Sequence, residues 1–167
     1  MPESLSPAHA PPSRARLQPW ISTAVRLGLA AVALAAGLAK IGDLPASVRA
    51  VRAYELLPEG LAVLVGNGLP VFEIILGVLL AAGLFTRATS VVFGVLMLVF
   101  VAGIISAWAR GLAIDCGCFG GGGPVEPGET AYLGDILRDL LFVAGAVFLV
   151  RWPRTRLSLD RALLLTD

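Results

Sequence analysis

Two thiols one residue apart are the most reactive pairing in this chain. Cys116 and Cys118 stand in the run Asp115-Cys116-Gly117-Cys118-Phe119-Gly120, and the 167 residues hold no other cysteine. Sulfurs so spaced can close a small disulfide ring. A side chain between them would hinder the tight turn, and Gly117 removes that obstacle. So small a ring is strained, and strained disulfides are the stronger oxidants. It closes too short a loop to stabilise the fold much, which favours thiol chemistry over a structural clip or a pair of buried apolar cysteines. Metal binding is the rival chemistry. Zinc wants four ligands, and beyond the two thiols the chain offers only a distant His9. Cu(I) accepts two soft thiolates, so a copper-handling role stays open. Asp115 should raise the thiol pKa by repulsion, whereas Lys40 or Arg110, if close, should lower it. Cys118, beside the Gly120–Gly123 run, is expected to be the more exposed sulfur.

The elements that position this loop are apolar helices. Hydrophobic residues make up 57% of the chain and charged residues 15%, against about 45–50% and about 25% in soluble domains. That excess would leave a soluble protein of this size exposing much of its apolar surface. A net charge of +1 without a basic stripe excludes nucleic acid as a partner. The lipid bilayer is the expected surrounding. A spanning helix needs about 20 apolar residues, and four segments fit: 21–39, 60–85, 88–109 and 133–150. Their apolarity is continuous rather than alternating, which argues against a barrel. The sequence therefore predicts an all-α, four-helix transmembrane bundle over 20–152. A disordered tail is expected over 1–19, and a cytoplasmic tail over 153–167. Alternating Arg and Leu from Arg154 to Leu165 would suit a short interfacial helix. The first span is too long, and too interrupted by Arg26, for a cleaved signal peptide. Trp20, Trp108 and Trp152 fall at span edges, as interfacial anchors do. Thr86-Arg87 is the expected turn between the second and third spans.

Arginines and lysines set the orientation. Arg14, Arg16, Arg87, Arg151, Arg154, Arg156 and Arg161 gather on one side, and Lys40, Arg49, Arg52 and Arg110 on the other. Both termini are thus expected in the cytoplasm, with loops 40–59 and 110–131 outside. In a bacterial inner membrane, outside is the oxidising side.

Charges within spans normally face the bundle interior with a partner. Arg26 lies 14 residues before Lys40 and Glu73 13 residues past Gly60, the outer ends of their helices, so both lie about 20 Å below the outer surface. An Arg26–Glu73 ion pair is expected, to fix helix register or to relay protons. Pro70 could free a nearby carbonyl for a polar partner. A second polar layer of Lys40, Arg110 and Asp139 is expected beneath the cysteine loop, with Arg138 reaching Asp135 at i, i+3.

Several motifs together resemble the methylamine-utilisation MauE family, within the wider DoxX-like membrane proteins. They are Ala36-Gly37-Leu38-Ala39-Lys40, Tyr54-Glu55-Leu56-Leu57-Pro58, Leu69-Pro70 through Glu73 to Gly77, and Arg110-Gly111. The cysteine run and Arg138-Asp139 complete them. The resemblance implies a four-helix membrane bundle and a role in forming or maintaining disulfides in exported proteins. The maturation of the disulfide-rich small subunit of periplasmic methylamine dehydrogenase is the implied setting. The bundle is also similar to the four-helix thiol oxidases of the DsbB and vitamin K epoxide reductase type. That likeness would imply a quinone as electron acceptor. Those proteins use CxxC and a second cysteine pair, whereas this chain has CxC alone. The expected partner is an extracytoplasmic thioredoxin-like or disulfide-containing protein. A non-catalytic assembly factor for a redox enzyme and a Cu(I)-binding membrane component are the alternatives.

Overall fold

A computed structural model describes residues 13–126 and 128–162. In chain order its elements are α1 (Ser13–Ile41), α2 (Leu44–Ala53), α3 (Glu59–Ala82), α4 (Thr86–Ala109), β1 (Ile114–Asp115), β2 (Gly123–Pro124), α5 (Tyr132–Arg151) and α6 (Leu159–Ala162). Helices α1, α3, α4 and α5 form a four-helix transmembrane bundle. The first three are long and apolar enough to cross a membrane by themselves. At 20 residues, or about 30 Å, α5 completes the bundle. Leu29, Ala30, Ala33, Leu80, Phe93, Met97, Ala146 and Leu149 form the core. Leu64, Val99, Leu141 and Val147 are more than half exposed, a surface that only lipid would cover without cost.

Helix ends follow local chemistry. Gly83 takes a left-handed conformation (φ +65°) and closes α3, its N–H turned to the carbonyls of Leu79 and Leu80. The turn between α3 and α4 is therefore Gly83–Phe85. Thr86 and Arg87, the expected connection, already belong to α4. At the N-terminus, the tail expected to be disordered is partly helical. Residues 13–19 open α1, and residues 1–12 lie outside the described chain.

The loop expected over 40–59 contains a helix. Asp43 caps it by accepting from Ala46 N–H at 2.9 Å, with a proline in the first turn. This is an ordinary N-terminal signature.

Glycines set the register of α1 on α3. A Cβ on Gly37 would stand 2.7 Å from the Pro70 carbonyl, and one on Gly77 2.6 Å from Leu34 Cγ. Such close backbone approach is how small residues join membrane helices. In this register the last turn of α1 lies opposite Pro70 to Glu73. Residues 59–69 of α3, about 17 Å of helix, extend past it. Helix α2 folds back to cover that overhang: Val48 packs on Gly66, and Ser47 Oγ donates to the Gly66 carbonyl at 2.7 Å.

That stagger overturns the expected Arg26–Glu73 pair. The helix ends are not level, so equal counts from each end do not mean equal depth. Glu73 pairs with Lys40, whose Nζ lies 2.6 and 2.8 Å from its two oxygens. Arg26 lies at the far end of the bundle. There its guanidinium donates to the carbonyls of Leu80 (2.8 Å), Ala81 (3.0 Å), Arg156 (3.4 Å) and Leu157 (3.0 Å). It neutralises the C-terminal carbonyls of α3, the position a cation favours.

The C-terminal segment is a strap across the same end, rather than an interfacial helix through Arg154–Leu165. Arg156 N–H donates to Thr23 Oγ1 at 2.8 Å. Asp160 accepts from the backbone N–H groups of Phe85 (2.6 Å) and Thr86 (2.9 Å), capping α4. Only Leu159–Ala162 is helical, and 163–167 lie outside the described residues. The C-terminal strap and Arg26 of α1 thus meet at the α3–α4 turn, at the end of the bundle opposite the cysteines.

Candidate functional site

The cysteine run is the tip of a small β-hairpin. Ile114 pairs with Pro124 and Asp115 with Gly123, antiparallel, and Val125 N–H donates to the Ala113 carbonyl at 2.9 Å. Asp115 Oδ1 accepts from Gly117 N–H at 3.4 Å, tightening the turn. Gly117 is required twice over. Its φ is +66°, and a Cβ there would lie 2.8 Å from the Ala50 Cβ. Gly122 meets the same Ala50, and Gly120 rests on Ala39 at the end of α1.

Two tyrosines hold the hairpin to the bundle. Tyr132, at the start of α5, accepts from Ile114 N–H and donates to the Leu112 carbonyl. Tyr54, capping α2, donates to the Cys116 carbonyl at 3.2 Å. Burial pushes its phenol well above the ordinary range, with the nearby thiols and carboxylates adding to the shift, so it stays a donor. Arg110 holds the Tyr54 carbonyl from the exposed rim. It therefore does not sit in a layer beneath the cysteines with Lys40 and Asp139, as expected. It acts on the loop through Tyr54.

The cation at the sulfurs is Arg138. Its Nη2 lies 3.8 Å from Cys116 Sγ, and its guanidinium sits 5.1 Å from the centre of the Phe119 ring. It is itself fixed by Asp135 (2.8 Å) and by Asp139 Oδ1 (3.0 Å from both Nε and Nη2). The sequence points to Arg138 through its i, i+3 partner and the motif Arg138-Asp139. Its reach to sulfur depends on the hairpin folding over α5.

The two sulfurs are unequal, in the opposite sense to expectation. Cys116 is half-buried, while Cys118 is 9% exposed. The glycine run folds against α1 and α2 and turns Cys118 inward. Cys118 N–H donates to Cys116 Sγ at 3.3 Å. The Cys118 thiol hydrogen bond holds the Cys116 thiol below its ordinary range. That N–H and the Arg138 guanidinium act the same way, against the opposing effect of burial. Cys118 is pushed far up by the same hydrogen bond, by burial, and by the negative charge of Cys116 and Asp139. The arrangement suits Cys116 as thiolate and Cys118 as thiol.

Two cavities adjoin the pair. A cleft of about 230 Å³ is bordered by Lys40, Tyr54, Leu57, Val99, Cys116 and Cys118, with largely apolar walls. A smaller, inner cavity of about 20 Å³ is bordered by Cys118, Asp139, Glu73 and apolar side chains. Lys40 and Asp139 thus reach the site, Lys40 on the cleft wall and Asp139 on the inner cavity. Among the described residues, no group of three or more His, Cys, Asp or Glu side chains could hold a metal ion.

A polytopic helical membrane protein that presents a CxC dithiol at one end, against an arginine and above a buried Lys–Glu pair, is the class that fold and site define. Within that class, the chain belongs to the MauE family: the profile described as Methylamine utilisation protein MauE matches residues 18–151. It is similar to the methylamine utilization protein MauE of Paracoccus denitrificans, at 34% identity over 107 residues, 64% of this chain and 58% of that protein. The matched stretch is therefore less than two thirds of the relative's length. No solved structure matches the chain.

Proposed function

We propose that this protein is a membrane thiol–disulfide exchange component whose Cys116–Cys118 pair reacts with an exported, cysteine-containing partner. What supports this reading above all is the inequality of the sulfurs: Cys116 is reachable and paired with Arg138, and Cys118 lies directly behind it. In the oxidising direction, a partner thiolate attacks Cys116 Sγ of the disulfide. A partner–Cys116 bond forms, the Cys116–Cys118 bond breaks, and Cys118 leaves with the electron pair and takes up a proton. The partner's second thiolate then attacks its own sulfur in the mixed disulfide and releases Cys116 as thiolate. Two electrons pass from partner to pair, and the partner gains a disulfide. The apolar cleft beside both cysteines would admit a lipid-borne quinone, which supplies two-electron acceptor chemistry. The reductive direction runs through the same Cys116 mixed disulfide. The family's name points to methylamine utilisation, and the resemblance read from the sequence implies the disulfide-rich small subunit of methylamine dehydrogenase as partner. The arginine bias favours the extracytoplasmic side of a bacterial inner membrane for the hairpin.

Trapping in cells tests the reading. Cys118→Ser should accumulate a covalent partner adduct through Cys116, and Cys116→Ser should accumulate far less. Cysteines locked in one redox state, with function intact in the double serine variant, would instead make the protein a non-catalytic assembly factor.

A further inference from the structure

Exchange at Cys116 leaves a problem at Cys118. Each time its bond to Cys116 breaks or forms, this largely buried sulfur must gain or lose a proton, and the cleft it borders has largely apolar walls. Two carboxylates border the inner cavity with it. Glu73 is committed, both oxygens being held by Lys40 Nζ. Asp139 is not. It is 2% exposed, its Oδ1 takes both Arg138 donors, and its Oδ2 has no hydrogen-bond partner. A buried carboxylate oxygen left unpaired is costly and calls for an explanation. Cys118 and Asp139 border one cavity of about 20 Å³, whose remaining walls, Glu73 apart, are apolar.

We infer that Asp139 is the proton acceptor and donor for Cys118, across the inner cavity that the two side chains share. The inference rests on the exchange reading above. When Cys118 attacks the Cys116–partner disulfide, the Asp139 carboxylate takes the thiol proton as the new S–S bond forms and the partner thiolate leaves. In the opposite direction, the Asp139 acid returns that proton to Cys118 as its bond to Cys116 breaks. The charged and titratable groups facing Asp139 are Arg138 and Asp135 on α5, Lys40 on α1, Glu73 on α3, and the two cysteines. Helix α4 contributes apolar side chains to the cavity. Arg138 holds Oδ1 and keeps the carboxylate aimed, leaving Oδ2 for the proton.

The full chain in lipid nanodiscs, reduced and mixed with dithiobis(nitrobenzoate), separates the two steps. Attack by Cys116 releases a first thionitrobenzoate, and displacement by Cys118 releases a second. Cys118→Ser should abolish only the second. In the wild type, an internal acceptor makes the second release nearly independent of pH between about 7 and 9. An unassisted buried thiol would instead speed up about tenfold per pH unit. Asp139→Asn, which keeps an oxygen for Arg138, should slow the second release at least tenfold more than the first at pH 7 and restore the steep pH dependence. A steep wild-type profile overturns the inference even if the variant fails to fold. So does a folded Asp139→Asn with a wild-type second release. Absence of any second release from the wild type would sink the exchange reading itself.

Discussion

The Lys40–Glu73 pair offers the sharpest test of the helix register. Both side chains are almost wholly buried, at 4% and 3% exposure, with Nζ 2.6 Å from Oε1. Replacing Lys40 by Met leaves an uncompensated carboxylate in the bundle, and replacing Glu73 by Met leaves an uncompensated ammonium. Breaking a buried pair costs about 3–5 kcal/mol. For a chain of this length that corresponds to a fall in Tm of about 6–20 °C. Removing both charges is a different perturbation, since the desolvation cost disappears with the attraction. Lys40→Met/Glu73→Met should therefore unfold close to the wild-type temperature, giving a coupling energy of about 6–10 kcal/mol between the two residues. Thermal unfolding in detergent, followed by helical circular dichroism across the four-member cycle, measures it. Arg26→Met combined with Glu73→Met should be additive, because the two residues do not meet. Single variants costing under about 1 kcal/mol, or coupling of Glu73 to Arg26 rather than to Lys40, would refute the register argued from Gly37 and Gly77.

Two further outcomes follow from the arginines. Arg138→Met should raise the Cys116 thiol pKa, so that less thiolate is present at any pH below it and alkylation slows. A unit charge at about 4 Å acts with about 1 kcal/mol even in water, so the rate at pH 7 should fall about fivefold or more; an unchanged alkylation profile would remove Arg138 from the site. Arg26→Met deprives four carbonyls of a charged donor and should cost about 2 kcal/mol or more. It should also free the C-terminal strap, read as faster tryptic cleavage after Arg154 and Arg156; an unchanged cleavage rate would contradict the clamp.

Much of the site could be read from the chain because it is local. The CxC run, the need for glycine at 117, and the Arg138–Asp135 spacing each depend on a few neighbouring residues. The α2 cap at Asp43 is equally local, in a helix of 10 residues, too short to show as an apolar run. Depth counted from helix ends does not give the charge pairing. The count treats α1 and α3 as level, whereas Gly37 and Gly77 let them dock with α3 overhanging by about three turns. That stagger moved Glu73 from Arg26 to Lys40. The same limit applies to Cys118. A glycine run beside it suggests exposure, but Gly117, Gly120 and Gly122 serve as contact surfaces for Ala50 and Ala39, which bury the sulfur.

The sequence by itself determined that the chain is a helical membrane bundle with one dithiol. Continuous apolar runs and an isolated pair of thiols are properties of composition and spacing, and no packing can alter them. Tertiary structure alone decided which buried charges pair, which sulfur is reachable, and which carboxylate oxygen is left free beside it. Those depend on axial offset and close backbone contact, set where glycines of one helix meet the side chains of another.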